Sequence, residues 1–379
     1  MIGGFATWRN MPIAFDQNTG SSTVQVGNYM RVSPNTSSSP LASPNIEIGL
    51  YAEKTGGSSH SYGPRWTEMT ASGGHTKAIT AGVNANKPDK RNHTYMTVRQ
   101  EHGNQWDILY DFNKVGSTSK QPKVIGGDTN RIDVGLEVTG PKYVNVPTIA
   151  NRMQFMTENH AWQQVDAPNV ARSVTLPVCS TSHKPPNCFI TKVADSHKFT
   201  QWTVSKPRRQ PADAAAPSTT ATAISGPDDA ANLPELFNGV DQEALQTCME
   251  KEPDSCLATV PGLSECVVAT RLCNAAALAS TAEPDPDTSS AELSAEYIRA
   301  RAAAAFHVSA HDIAVDPPAS LGGPASGHLA VDSTYTVTST TSTPGLQPTD
   351  RRFEGFTASY SAHSGALLEA CWGDLCDAS

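Results

Sequence analysis

The chain has 379 residues, 38% of them hydrophobic and 17% charged, with a formal net charge of −9. That length holds two domains. No run approaches the 18 apolar residues of a membrane-spanning helix. The N-terminal "MIGGFATWRN" has no basic stretch ahead of an apolar core, so it does not read as a signal peptide. Charge is uneven along the chain. Residues 1–210 carry 22 Lys and Arg against 14 Asp and Glu, a net +8, and residues 211–379 carry 6 against 23, a net −17. The lysines of the basic half are scattered among turns without a dense run, which speaks against a nucleic-acid surface. An acidic half can instead dock on a basic half of the same molecule.

In chain order, residues 1–205 read as strands. Period-two alternation recurs in "TVQVGNYMRV", "NIEIGLYAE", "TYMTVRQ", "QWDILYDF", "RIDVGLEV", "SVTLPV", "CFITKV" and "FTQWTV". Turn clusters such as "KTGGSS" and "ANKPDKRN" separate them. Many short strands without intervening helices predict an antiparallel β-sandwich or jelly-roll. Residues 206–229, rich in Pro, Ala, Ser and Thr and opening on Arg208-Arg209, read as a linker. Residues 230–379 read as a smaller, acidic, disulfide-bonded α+β domain. In it "SAELSAEYIRARAAAAF" predicts a helix capped by Ser290, and "HLAVDSTYTVTST" and "FEGFTASYSA" predict strands. The fold class is thus mainly β with an α+β appendage.

Eight cysteines are present: Cys179, Cys188, Cys248, Cys256, Cys266, Cys273, Cys371 and Cys376. Their even count and the lack of any C-x-x-C spacing predict structural disulfides in an oxidising, extracellular compartment. Cys179–Cys188 and Cys371–Cys376 are the local pairings, and the middle four allow three connectivities.

Two segments carry the chemistry. "NIEIGLYAE" starts at Asn45, and "RIDVGLEVT" starts 86 residues later at Arg131. In a strand, alternate residues face opposite ways. Ile46, Ile48 and Leu50 therefore share one face, and Glu47, Gly49 and Tyr51 the other. Likewise Ile132, Val134 and Leu136 oppose Asp133, Gly135 and Glu137. If the two strands lie side by side, their carboxylates share one hollow. A close carboxylate pair holds one proton between its members and so supplies an acid and a base together. Trp66, Trp106 and Tyr110 are candidates to stack on a ligand, with Asp133 beside them. There is no G-x-S-x-G, H-E-x-x-H, P-loop or G-x-G-x-x-G, so no cofactor or metal site is expected.

The segment around Glu47 resembles the "IEAGW" strand of neprosin-type glutamic peptidases, and "GLEV" resembles their "GGEV" strand. "GNQWDILYDF" between them is similar to that family's Gly-Asn-Trp-Trp strand. The likeness covers about residues 40–160. Leu50 stands where the family has tryptophan and Leu136 where it has glycine, and the family's cysteine-rich middle segment is missing. The resemblance implies Glu47 and Glu137 as catalytic acid and base, no metal, and preference near proline. Residues 290–376 resemble PepSY-type propeptide domains, some of which inhibit or chaperone a neighbouring catalytic domain. Two functions follow as expectations. One is a secreted binding module for a glycan or surface polymer, with an acidic accessory domain. The alternative is a metal-independent glutamic endopeptidase acting on a peptide.

Overall fold

The computed structural model describes residues 1–34, 44–57, 60–79, 88–100, 105–119, 130–165, 189–203, 240–268, 292–317, 333–346, 351–362 and 365–376. The expected linker, Arg208-Arg209, Cys179, Cys188, Cys273 and Ser290 lie outside them, as does the side chain of Cys266. The fold is mainly β and antiparallel. The first strands are β1 (Gly3–Arg9), β2 (Ala14–Phe15), β3 (Thr23–Pro34), β4 (Asn45–Thr55), β5 (Ser61–Met69), β6 (Gly73–Ala78), β7 (Asn92–Arg99), β8 (Trp106–Tyr110) and β9 (Asn113–Ser117). There follow β10 (Asn130–Val138), β11 (Val144–Asn145), β12 (Ile149–Met156), β13 (Trp162–Gln164), β14 (Phe189–Asp195) and β15 (Lys198–Thr203). Helices α1 (Gln242–Lys251), α2 (Cys256–Thr259), α3 (Leu263–Val268) and α4 (Ala295–Phe306) precede β16 (Ala314–Asp316), β17 (Thr334–Ser339), β18 (Phe356–Ser361) and β19 (Leu367–Gly373).

Two large sheets result. The first runs β14-β15-β12-β1-β7-β8-β9, with β13 also on β12, and the second runs β10-β3-β4-β5-β6-β19-β18-β17-β16. Their facing sides share one apolar cluster. Ala6, Trp8, Tyr95, Trp106, Ile108 and Tyr110 enter it from the first sheet, and Val24, Met30, Ile46, Ile48, Leu50 and Trp66 from the second. Trp8 stacks on Tyr95 with ring centroids 3.9 Å apart, a large apolar contact per residue. The Tyr95 and Tyr110 hydroxyls both meet the buried Asn10 amide, so the aromatic core leaves neither hydroxyl unpaired.

The far side of the first sheet is covered by helices. Leu245, Leu257, Val260 and Leu263 pack on Phe5, Met96, Leu109 and Met156. Asp254, before α2, receives Arg152 at 2.9 Å and Lys198 at 3.4 Å. Cys248 and Cys256 are bonded there, with Cα atoms 5.6 Å apart, and Cys371 and Cys376 are bonded after β19. The second pair is the local one expected; the first resolves one of the open pairings among the middle four.

The last strands do not form a separate sheet. Strand β19 pairs antiparallel with β6, Cys371 opposite His75, so the second sheet continues into the C-terminal segment. Helix α4 covers that end of it, with Ile298, Ala302 and Phe306 against Phe356, Ala358 and Trp372. Its cap is Ser294 rather than Ser290: the Ser294 side chain accepts the Tyr297 backbone N–H. A hydroxyl one residue before the first helical position satisfies an otherwise unpaired donor, and Ser290 is a full turn too early.

The β8–β9 hairpin shows how a tight turn is held. Its two central residues, Asp111 and Phe112, both have positive φ, at 49° and 64°. A two-residue hairpin loop of matching twist needs this, and a phenylalanine adopts it at a cost. Burial of the Phe112 ring under the helices offsets that cost. Asp111 is fixed from below by the Thr94 N–H and by His93 Nδ1 at 2.7 Å, while His93 Nε2 meets Asp89 at 2.9 Å. Burial works against the His93 cation, but Asp111 and Asp89 overcome it and hold its pKa up to about 10. A histidine with a raised folded-state pKa contributes stability in full below its unfolded value of about 6.5. The contribution is lost as pH rises toward 10. The difference in unfolding free energy between wild type and His93→Gln, from urea titrations, is expected to be largest near pH 6 and to fade as pH rises through 10, by no more than about 1.4 kcal/mol per pH unit.

Candidate functional site

The two acid-bearing segments became β4 and β10, on the same sheet. They do not pair with each other. Each pairs with β3, which lies between them. The register sets three rows across the face turned away from the apolar cluster. Asp133, Arg31, Glu47 and Thr67 form the first; Gly135, Tyr29, Gly49 and Arg65 the second; Glu137, Gly27, Tyr51 and Gly63 the third. Glu47 and Glu137 thus sit diagonally across β3, with Cα atoms about 17 Å apart from strand spacing and rise. The intervening row carries one side chain between the carboxylates, Tyr29, flanked by two glycines.

Glu47 is only 3% exposed and Arg31 1%. The Arg31 Nε donates to Glu47 Oε2 at 2.8 Å, and its Nη2 lies 2.5 Å from the same oxygen. The Tyr51 hydroxyl donates to Glu47 Oε1. Burial opposes the Arg31 cation, yet the Glu47 charge raises its pKa above the ordinary arginine value. Tyr51 is driven well above an ordinary tyrosine, first by burial and then by Glu47, so its hydroxyl keeps its proton and remains a donor. A buried carboxylate bonded on both oxygens has a fixed orientation.

Glu137 has a different environment. It is exposed, at the edge strand of the sheet. Its pKa is nevertheless raised, first by partial desolvation against the face and then by the charge of Glu47; Arg31 and a hydrogen bond from Tyr29 work the other way. The Glu47 charge thus reaches Glu137 past Tyr29, and Glu137 holds its proton to higher pH than an ordinary glutamate. Tyr29 is itself raised by burial, opposed by the Arg31 guanidinium, whose carbon lies 4.5 Å from the ring centroid.

Of the other sequence candidates, Asp133 lies in the Arg31 row, ion-paired with Arg131 at 3.1 Å. Trp66, Trp106 and Tyr110 are buried in the cluster between the sheets, on the side away from the carboxylates. Their large rings make that core. Arg31, Tyr29 and Tyr51 complete the constellation; the alternation of the first motif places Tyr51 beside Glu47, whereas Arg31 and Tyr29 lie outside both motifs. The signal was there: in "TVQVGNYMRV" the alternation that sends Val26, Met30 and Val32 inward sends Gly27, Tyr29 and Arg31 to the carboxylate face.

The C-terminal segment borders this face. Arg301 of α4 reaches Ser61 Oγ at 3.4 Å and Glu53 at 3.6 Å, so the helix forms a wall beside the third row. Compared with protein-family models and with curated proteins, the chain matches none.

Proposed function

We propose that the chain is an exported, metal-independent endopeptidase in which Glu47 and Glu137 act as base and acid on one amide. We read the two facing sheets as a β-sandwich that carries the site, and the acidic helices α1–α3 as an accessory layer docked on its basic side. The observation that carries the reading is the placement of Glu47 and Glu137 on one face of the sheet, either side of Tyr29, in unlike surroundings: one buried, the other exposed. Unlike surroundings push two acids toward different roles.

Glu47, oriented by Arg31 and Tyr51, takes the proton of an attacking water. Glu137, which keeps its proton to higher pH, gives it to the departing nitrogen. A separation that leaves room for a water between two carboxyls is the geometry of single-displacement hydrolysis. The disulfides are compatible with an extracellular site of action.

The test is cleavage of proline-rich peptides by wild type, Glu47→Gln and Glu137→Gln across pH. Activity is expected to decline as pH rises through the raised Glu137 pKa, because the acid form is then lost. In Glu137→Gln that alkaline limb disappears together with most of the activity. Equal activity in all three proteins sinks the reading.

A second reading, a binding module, is favoured by the closure of the Arg31–Glu47 pair, which a static face would also show. With Trp66, Trp106 and Tyr110 internal, a glycan would have to stack on Tyr29. Retention on insoluble polysaccharide that Tyr29→Ala abolishes, with no peptide cleavage by wild type, would establish it.

A further inference from the structure

Among the described residues, four guanidinium groups stand on or reach the carboxylate face. Three have a carboxylate within 4 Å: Arg31 has Glu47, Arg131 has Asp133 and Arg301 has Glu53. Arg65 has none among the described residues. Its Nε is inaccessible and without a hydrogen-bond partner. Its guanidinium carbon lies 3.8 Å from the centroid of the Tyr51 ring.

That contact has a consequence. A guanidinium lying over a ring spends its flat face and keeps its N–H donors in its own plane. Tyr51 is also the residue whose hydroxyl holds Glu47, so Arg65 is tied to the orientation of the base. Arg65 stands opposite Gly49, which makes Glu47 a diagonal neighbour about 7–8 Å away between Cα atoms. Gly49, opposite Arg65, and Gly63, opposite Tyr51, add no side chain beside the group in these rows. A half-buried cation without an anion is unfavourable in a resting protein, and an incoming oxygen that gains negative charge relieves it.

We propose that Arg65 is the electrophilic group of the site, receiving the carbonyl oxygen of the scissile amide as it becomes an oxyanion. This rests on the peptidase reading above. Water forms a C–O bond to the carbonyl carbon and gives its proton to Glu47, and the carbonyl π pair moves onto the oxygen at Arg65. That pair then re-forms the carbonyl, the C–N bond breaks, and the Glu137 proton goes to the nitrogen. Solvent returns the proton from Glu47 to Glu137.

The experiment compares wild type, Glu47→Gln, Arg65→Met and Arg65→Ala on one proline-rich peptide, with kcat and KM separated and thermal midpoints recorded. Arg65→Met is expected to lower kcat by about 10²–10³ with KM within a few-fold, the pattern of a lost oxyanion donor. Its thermal midpoint should equal or exceed that of wild type, since no ion pair is broken. Millimolar guanidinium should restore part of the kcat of Arg65→Ala. A wild-type enzyme killed by Glu47→Gln but untouched by Arg65→Met overturns the role of Arg65 alone. So does a loss confined to KM, or no restoration by guanidinium. A wild type that cleaves nothing overturns both this role and the reading beneath it.

Discussion

Glu47→Gln is expected to lower kcat/KM on a proline-rich peptide by at least about 10³, because it removes the base that activates water. It is also expected to destabilise the protein by about 3 kcal/mol. The Arg31 guanidinium, 1% exposed, would be left facing an amide. The two effects must be separated, since an unfolded fraction also lowers activity. Arg31→Met alone should cost a similar amount by stranding the carboxylate. The double variant Arg31→Met with Glu47→Gln should recover most of the stability, because a matched apolar and amide pair no longer buries a lone charge. Activity should stay lost in the double variant. Urea unfolding of the four proteins beside kcat/KM decides the point. If activity returns with stability, Glu47 is a structural partner of Arg31 and the catalytic assignment fails.

The architecture was readable where side-chain alternation is strict. "NIEIGLYAE" and "RIDVGLEV" form strands whose apolar residues turn inward, as period two requires, because one face of the sheet is covered by the other sheet. The relation between them was not readable. Register across the intervening β3 follows from pairing partners far apart in sequence, and a single chain carries no pattern that ranks them. The same holds for β19 on β6, a contact across nearly 300 residues that joins the C-terminal strands to the second sheet. Tryptophans offer a different lesson. Trp66 and Trp106 have the chemistry to bind a sugar and the area to fill a core, and composition cannot choose. Their place in the alternation does: Trp66 pairs with Ile48, an inward position. Arg31 and Arg65 escaped notice because an isolated arginine in a strand is ordinary; its meaning comes from what the neighbouring strands place beside it.

The shared glycine of the twin motifs gives the second large prediction, and the two copies should behave differently. At Gly49 an added Cβ would lie 2.5 Å from the Asn28 backbone oxygen and 2.7 Å from the Tyr29 Cα. Those are backbone atoms of the paired strand, so β3 and β4 would have to move apart. At Gly135 the nearest atom is the Gln201 side-chain oxygen at 3.1 Å, the end of a flexible chain. Gln201 also accepts the Leu136 N–H at 2.8 Å and donates to Thr191 Oγ1 at 3.3 Å, so it has two hydrogen bonds to disturb by moving. Gly49→Ala is therefore expected to destabilise by about 3 kcal/mol, at the upper end for an overpacked site. Gly135→Ala should stay at about 1 kcal/mol, because the flexible Gln201 side chain can shift and its two hydrogen bonds are weakened rather than broken. Because separating β3 from β4 also pulls Arg31 from Glu47, Gly49→Ala should lose activity even at a temperature where it is fully folded. Gly135→Ala should keep activity within a few-fold. Equal losses of stability in the two variants would mean that β4 does not sit against β3 as closely as described, and the Arg31–Glu47 geometry would fall with it.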